Sequence, residues 1–254
     1  VFAWLDEGSR VVRGFTDRHD GHSIGAHAGL NLGSRVADDP AAVARNRAAA
    51  AAALGVPAGN LVFLHQVHGA QVATVTEPWG PEDEPEADAL VTTVPGLALV
   101  VLAADCVPVL LADPVAGVIG AAHVGRPGLL AGTVAAVVER MRFVGAVNLD
   151  AAVGPAVCGS CYEVPQQMHD DAVALVPEAR AVSATGTPAL DIAKGVLAQL
   201  SAAGVSARQV IGCTRESGNL YSYRRDGVTG RHAGLILLRP PAAPAHRPGR
   251  HHPG

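Results

Sequence analysis

The segment Asp105-Cys106-Val107-Pro108-Val109-Leu110-Leu111-Ala112-Asp113-Pro114-Val115-Ala116-Gly117-Val118-Ile119-Gly120-Ala121-Ala122-His123 holds two apolar runs divided by a turn signal. Asp-Pro starts a turn and Gly117 supplies the left-handed position that closes it, so residues 107–112 and 118–122 are expected to pair antiparallel. Partner numbers then sum to roughly 229–231, the spread left by the turn type. Cys106 therefore falls opposite His123 or within about two residues of it, where side chains approach to roughly 5 Å. A one-residue slip would send them to opposite faces. On a regular strand Asp105 points away from Cys106, which weakens it as a direct acid or base.

Outward from this hairpin, Ala89–Thr92 and Leu97–Ala104 are further apolar and β-branched runs, which predicts a sheet buried on both faces. Leu61–Leu64 and Val72–Thr76 read as strands flanking the connection His65-Gln66-Val67-His68-Gly69, and Val205–Gly212 and Gly234–Leu238 as later strands. A first helix opens at Asp39-Pro40, with Asp as N-cap and Pro at the first helical position, and closes at Gly55. Further helices are predicted over Leu129–Met141, Gln166–Leu175 and Ile192–Ala203. Strand runs and helices without regular alternation give an α+β class: a single domain over 1–240, with mixed β-sheets packed against outer helices. Glu77–Asp88, rich in acids and prolines, reads as a solvated loop, and the Pro/His-rich segment 241–254 as a disordered tail.

Composition narrows the function. Of the 254 residues, 49% are apolar and 17% charged, which is globular rather than disordered composition. Nineteen basic against 23 acidic residues give a net charge of −4, which argues against duplex DNA or an anionic membrane as partner and favours a small molecule. Apolar runs fall far short of the roughly 20 residues a bilayer crossing needs. Four cysteines in a chain of this length, without a basic-plus-apolar leader at its start, point to a reducing cytoplasm.

A thiol beside an imidazole admits three readings: part of a metal site, a Cys-His nucleophile, or neighbours in a core. With His68 added, Cys106 and His123 form the three-ligand set of a catalytic zinc whose fourth position stays open. His65 is the alternative third ligand; His68 is preferred because Gly69 beside it lets the backbone turn toward a site. Cys158-Gly159-Ser160-Cys161 has CxxC spacing, but with no second CxxC it reads first as structural. Arg224 and Arg225, followed by Arg231, form a cationic element suited to phosphate, in a chain with no Lys or Arg from 48 to 125. Asn31, Arg47 and Gln66 are further candidate substrate contacts lining a cleft.

These motifs together resemble the laccase-domain family, also known as polyphenol oxidases, as purine nucleoside phosphorylases with adenosine deaminase activity, and as peptidoglycan editing factors. The resemblance runs from LNLGSRVADDPAAVARNR through HQVHG, EADALVT, AADCVPVLLADP, GAAHVGRPGL and GPAVCGSCYEV to SYRRDGVTGRHAGLILL. It implies zinc on His68, Cys106 and His123, and phosphorolysis of adenosine, inosine, guanosine and methylthioadenosine, with deamination of adenosine. The family commonly reads HAGWRG after the histidine; Val124-Gly125-Arg126-Pro127-Gly128 lacks the tryptophan and shifts the arginine by one place. Copper chemistry of the laccase kind needs many histidines, typically in HxH pairs, and none of the 11 forms one. Two other readings remain. One is a Cys-His hydrolase, with Cys106 as nucleophile and His123 as base, acting in peptidoglycan-precursor editing. The other is a non-enzymatic zinc or nucleoside-binding protein, its metal closed by a fourth protein ligand such as His65.

Overall fold

The computed structural model describes residues 1–240; the tail expected over 241–254 lies outside them. In chain order the first half comprises β1 (Phe2–Glu7), β2 (Val11–Thr16), α1 (Pro40–Leu54), β3 (Leu61–Val62), β4 (Val72–Val75), β5 (Ala89–Thr92), β6 (Ala98–Ala103), β7 (Val107–Asp113) and β8 (Val118–Val124). The second half comprises α2 (Arg126–Ala131), α3 (Thr133–Phe143), β9 (Asp150–Val153), α4 (Gln166–Leu175), β10 (Arg180–Val182), β11 (Pro188–Leu190), α5 (Ile192–Ala202), β12 (Ser206–Gln209), α6 (Tyr223–Asp226) and β13 (His232–Leu238).

Two mixed sheets lie face to face between helices. One has the order β1-β2-β13-β6-β3, the other β12-β9-β7-β8-β5-β4, and β10 and β11 form a separate ribbon. The period-two alternation of the central hairpin builds both sides of the second sheet: Val107, Val109 and Leu111 pack with α3 and α5 residues such as Val137 and Val196. Leu110, Ala112, Ile119 and Ala121 face the opposite way, meeting Phe15, Leu99 and Ile236 of the first sheet. The first sheet's outer face is covered by Ala50, Ala51 and Leu54 of α1. The small side chains let that helix lie close. This is the α+β arrangement with outer helices that the sequence predicts, and among the described residues no helix is long and apolar enough to cross a membrane.

Helix α1 has the predicted ends: the Asp39 side chain accepts from Ala41 N at 3.0 Å, and Gly55 is left-handed with φ 73°. Several details differ. The helix expected over Leu129–Met141 is two, broken where Gly132 adopts φ 87°, and the buried Thr133 hydroxyl lies 2.7 Å from the Gly69 carbonyl and 2.8 Å from that of Gly128. The run at 205–212 keeps only four residues as a strand, because β12 is a largely exposed edge. Strands β1 and β2 add an N-terminal pair that the strand runs read from the sequence do not include. The acid-rich segment 77–88 is not wholly solvated: Asp88 is fully buried, and the Glu84 side chain is 5% exposed beside Arg35 and Arg47.

The hairpin is locked at its turn by Asp113, 2% exposed, whose carboxylate accepts from Val115 N, Ala116 N, Val147 N and Asn148 N at 2.8–3.1 Å. Burial pushes its pKa up, but these four donors outweigh that and leave it below the usual carboxylate value. Its stabilising contribution is thus present above the unfolded value of 3.8 and lost as pH falls through the lower folded one. Asp113→Ala is expected to lower unfolding free energy at neutral pH by about 1–3 kcal/mol. In denaturant titrations the deficit should shrink on acidification; a pH-independent deficit would contradict this account.

Candidate metal centre and substrate cleft

In the β7–β8 ladder Val107 pairs with Val124 and Pro108 with His123, so partner numbers sum to 231. Cys106 lies two residues before Pro108, placing it diagonal to His123 on one face. His68 arrives from the β3–β4 connection. One donor atom each from His68, Cys106 and His123 lies within 4.8 Å of the others, with Cys106 Sγ 3.7 Å from His68 Nε2. The two imidazoles meet edge to face, centroids 4.8 Å apart. His65 turns away to Glu86, 3.6 Å from its carboxylate.

Asp88, directly before β5, organises this convergence. Its carboxylate accepts from Val67 N at 3.2 Å, His68 N at 3.0 Å and Gly69 N at 2.6 Å, and contacts His123 Nδ1 at 2.8 Å. Its carbonyl accepts from His123 N at 2.8 Å. The same acid therefore shapes the turn that carries one imidazole and fixes the ring of the other, leaving His123 Nε2 as the free donor. The turn's left-handed residue is His68 itself, φ 62°, rather than Gly69. The buried carboxylate compensates the strain of that conformation. Gly125 is needed for close approach: a Cβ there would sit 2.8 Å from His68 Cδ2 and 3.0 Å from Cys106 Sγ.

The electrostatics separate thiol and imidazole. Burial pushes the Cys106 thiol up, but His123 and His68 outweigh it and bring the pKa down to about 6. Burial pushes His123 down, but Cys106 and Asp88 outweigh it and hold it at about 9. The two shifts favour a thiolate beside an imidazolium. Two nitrogens and one soft sulfur, one ring braced by a buried carboxylate, are a donor set that can hold a metal ion.

The triad opens into a cleft of about 690 Å³, the size that accepts a small organic ligand. Five arginines line it: Arg35, Arg47, Arg126, Arg224 and Arg231. Arg35 and Arg47 face Glu84, and the Arg47 guanidinium lies 3.7 Å above the Phe63 ring. Arg224 stacks 4.5 Å from Tyr162 and donates to Glu163 O at 3.0 Å. Asp105 supports that wall. It lies between strands with φ 108°, and its carboxylate accepts from Thr214 Oγ1 at 2.6 Å, Ser222 Oγ at 2.7 Å and Arg224 N at 2.7 Å.

The other candidates sort by what their polar groups already do. Gln66 lines the cleft, yet its amide is bound at both ends to Leu102, donating to O at 2.9 Å and accepting from N at 2.8 Å. Asn31 is fully buried outside the lining, bonded to Gly33, Asp38 and Arg231 N. Arg225 also leaves the lining: its guanidinium donates to the carbonyls of Thr214, Ser217 and Leu220 and pairs with Asp226. Sequence reasoning missed Asp88, Tyr162 and Tyr223, and singled out Arg126 only as the displaced arginine after His123. Only Asp88 had a signal, an acid placed directly before a buried strand.

The family model described as multi-copper polyphenol oxidoreductase laccase matches residues 12–239. A purine nucleoside phosphorylase of Streptomyces coelicolor is 55% identical over 228 residues, covering 89% of this chain and 94% of that protein. One of Mycobacterium tuberculosis is 44% identical over 232 residues, covering 90% and 92%. Among solved structures, YlmD from Geobacillus stearothermophilus superposes with TM-score 0.85 at 33% identity over 91% of this chain and 93% of that one. A Neisseria meningitidis protein gives TM-score 0.83 at 33% identity over 94% and 99%.

Asp88→Asn is expected to weaken metal binding about 10–100-fold, since the His123 ring and the His68 turn lose their common anchor. Competition with a graded series of chelators measures it. Unchanged affinity would mean that Asp88 serves the backbone alone.

Proposed function

Since the chain belongs to the multi-copper polyphenol oxidoreductase laccase family, in which relatives at 44–55% identity are named purine nucleoside phosphorylases, we propose that it is a zinc-dependent phosphorylase of purine nucleosides. Adenosine, inosine, guanosine and methylthioadenosine are its substrates, and adenosine is also deaminated to inosine. The observation that carries this reading is that a metal-type triad and several arginines share one cleft. Phosphorolysis needs both a dianion held beside the sugar and a substrate held still.

Arg224, with Arg126 and Arg231 on the same cleft, binds phosphate by charge-assisted hydrogen bonds and presents it to the anomeric carbon. A C–O bond forms there as the C–N bond to the base breaks, yielding ribose 1-phosphate, or its 5-methylthio form from methylthioadenosine, and a free purine that takes up the proton released by phosphate. Tyr162 and Tyr223 supply aromatic surface for the base. His68, Cys106 and His123 would hold the zinc, which supplies Lewis acidity toward substrate oxygen or nitrogen. Deamination exchanges the 6-amino group for a water oxygen and releases ammonia. Copper oxidation of the laccase kind fits poorly: the metal-type clusters among the described residues contain two histidines in all.

Arg224→Ala should raise the phosphate KM by about 10–100-fold, the worth of a hydrogen bond to a charged group, and leave zinc content at the triad unchanged. A phosphate KM equal to wild type would remove Arg224 from the anion site. Arg225→Ala should chiefly lower thermal stability, because that guanidinium ties down carbonyls of the 214–220 loop.

The lowered thiol pKa of Cys106 and its 3.7 Å contact with His68 favour a second reading, a Cys-His hydrolase of peptidoglycan-precursor editing. Alkylation separates the two. As a zinc ligand, Cys106 reacts slowly until a chelator is added; thereafter its reactivity persists down to about pH 6 and falls as the thiolate protonates. Rapid stoichiometric alkylation of the zinc-loaded protein, with activity lost in step, would instead establish the hydrolase.

A further inference from the structure

Three of the four cysteines lie outside the triad, and the fold gathers them at one point. Cys158 and Cys161 bracket a tight turn in which Cys161 N and Tyr162 N donate to Cys158 O at 2.9 and 3.0 Å. Cys213 starts a second turn of like form, with Ser217 N donating to Cys213 O at 2.9 Å. A parallel bridge between Ala156 and Cys213 sets the two turns side by side. Cys158 N donates to Cys213 Sγ at 3.4 Å, and Cys161 Sγ lies 3.4 Å from Glu216 Oε1. One donor atom from each of Cys158, Cys161, Cys213 and Glu216 lies within 4.8 Å of the others.

The apparent lack of a partner for the CxxC motif is thereby resolved. Cys213-Thr214-Arg215-Glu216 has the same two-residue spacing, with a carboxylate in place of the second thiol. Two such turns facing each other present four ligands from two chain segments, the closed set of a structural zinc. Three thiolates select a soft or borderline ion over magnesium or calcium. All four cysteines are free thiols, so no disulfide accounts for the cluster. Gly159 keeps the first turn tight, since a Cβ there would meet Ala181 Cβ at 2.8 Å.

We propose that Cys158, Cys161, Cys213 and Glu216 form a second zinc site, structural in role and separate from the triad. Binding displaces the three thiol protons to solvent and involves no oxidation. The site braces one wall of the cleft. Tyr162 follows a ligand directly and stacks on Arg224, while Thr214, next to another ligand, bonds Asp105, which holds the Arg224 backbone.

The test is zinc content per chain in the full-length protein, purified reduced and desalted. Cys158→Ala/Cys161→Ala should hold one equivalent fewer than wild type, and His68→Ala/Cys106→Ala should also hold one fewer while keeping the second. Comparing variants cancels any zinc on the C-terminal histidines. Should the cysteine variant fail to fold, cobalt-loaded His68→Ala/Cys106→Ala protein supplies the readout. Thiolate-to-cobalt charge-transfer bands with tetrahedral ligand-field bands are expected there, lost on adding one equivalent of zinc. Zinc content unchanged by Cys158→Ala/Cys161→Ala, absence of the cobalt bands, or a disulfide between any two of these cysteines in freshly isolated protein would overturn the proposal. None of those results bears on the triad.

Discussion

The site depends on the Asp88 carboxylate accepting three backbone N–H groups from residues 67–69 while holding the ring of His123. A buried carboxylate is costly unless each oxygen is satisfied, and here the satisfaction doubles as construction. It converts an irregular connection into a rigid turn with a left-handed histidine at its tip. Thr133, at the break between α2 and α3, holds the same connection from its other side through the Gly69 carbonyl. The helical layer thereby helps to set the position of a group that chain order places far from it.

A second acid, Asp105, does for the arginine wall what Asp88 does for the metal-type triad. Both lie beside strand ends; Asp105 spends its acceptor capacity on hydroxyl and backbone donors, Asp88 on backbone donors and the His123 ring. Their neighbour in sequence or space carries the chemistry: Cys106 follows one, and His123 touches the other. The cleft is thus braced by two buried acids, of which Asp105 reaches its lining and Asp88 lies behind it, rather than by the long cationic side chains that face into it.

How far this was legible in the sequence follows from which interactions are local. The hairpin turn, the caps of α1 and the alternation of Val109, Leu110 and Leu111 depend on neighbouring residues, and each emerged as expected. The juxtaposition of Cys106 with His123 followed from register alone. What stayed hidden was long-range: Asp88 reaching back across 19 to 21 positions to 67–69, Cys213 meeting Cys158 across 55 positions, Arg225 bonding carbonyls instead of facing the cleft. Asn31 and Arg225 were plausible by residue type, but their polar groups are consumed by the scaffold. Periodicity was no guide to the helix break either, since Leu129–Met141 keeps its apolar face across Gly132.

The run of sequence from 48 to 125 without a single Lys or Arg supplies His68, Cys106 and His123, together with Asp88 and Asp105. The cleft's arginines all arrive from outside that run, at 35, 47, 126, 224 and 231. The candidate ligand donors and the cationic groups of the cleft therefore lie on different stretches of chain. Arg47, Arg126 and Arg224 sit on helices α1, α2 and α6, and Arg35 and Arg231 on connections, so the cationic wall is assembled from segments separate from the one that carries the donor triad. The charge of the cleft can therefore be altered by substitutions that leave the donor-bearing stretch untouched.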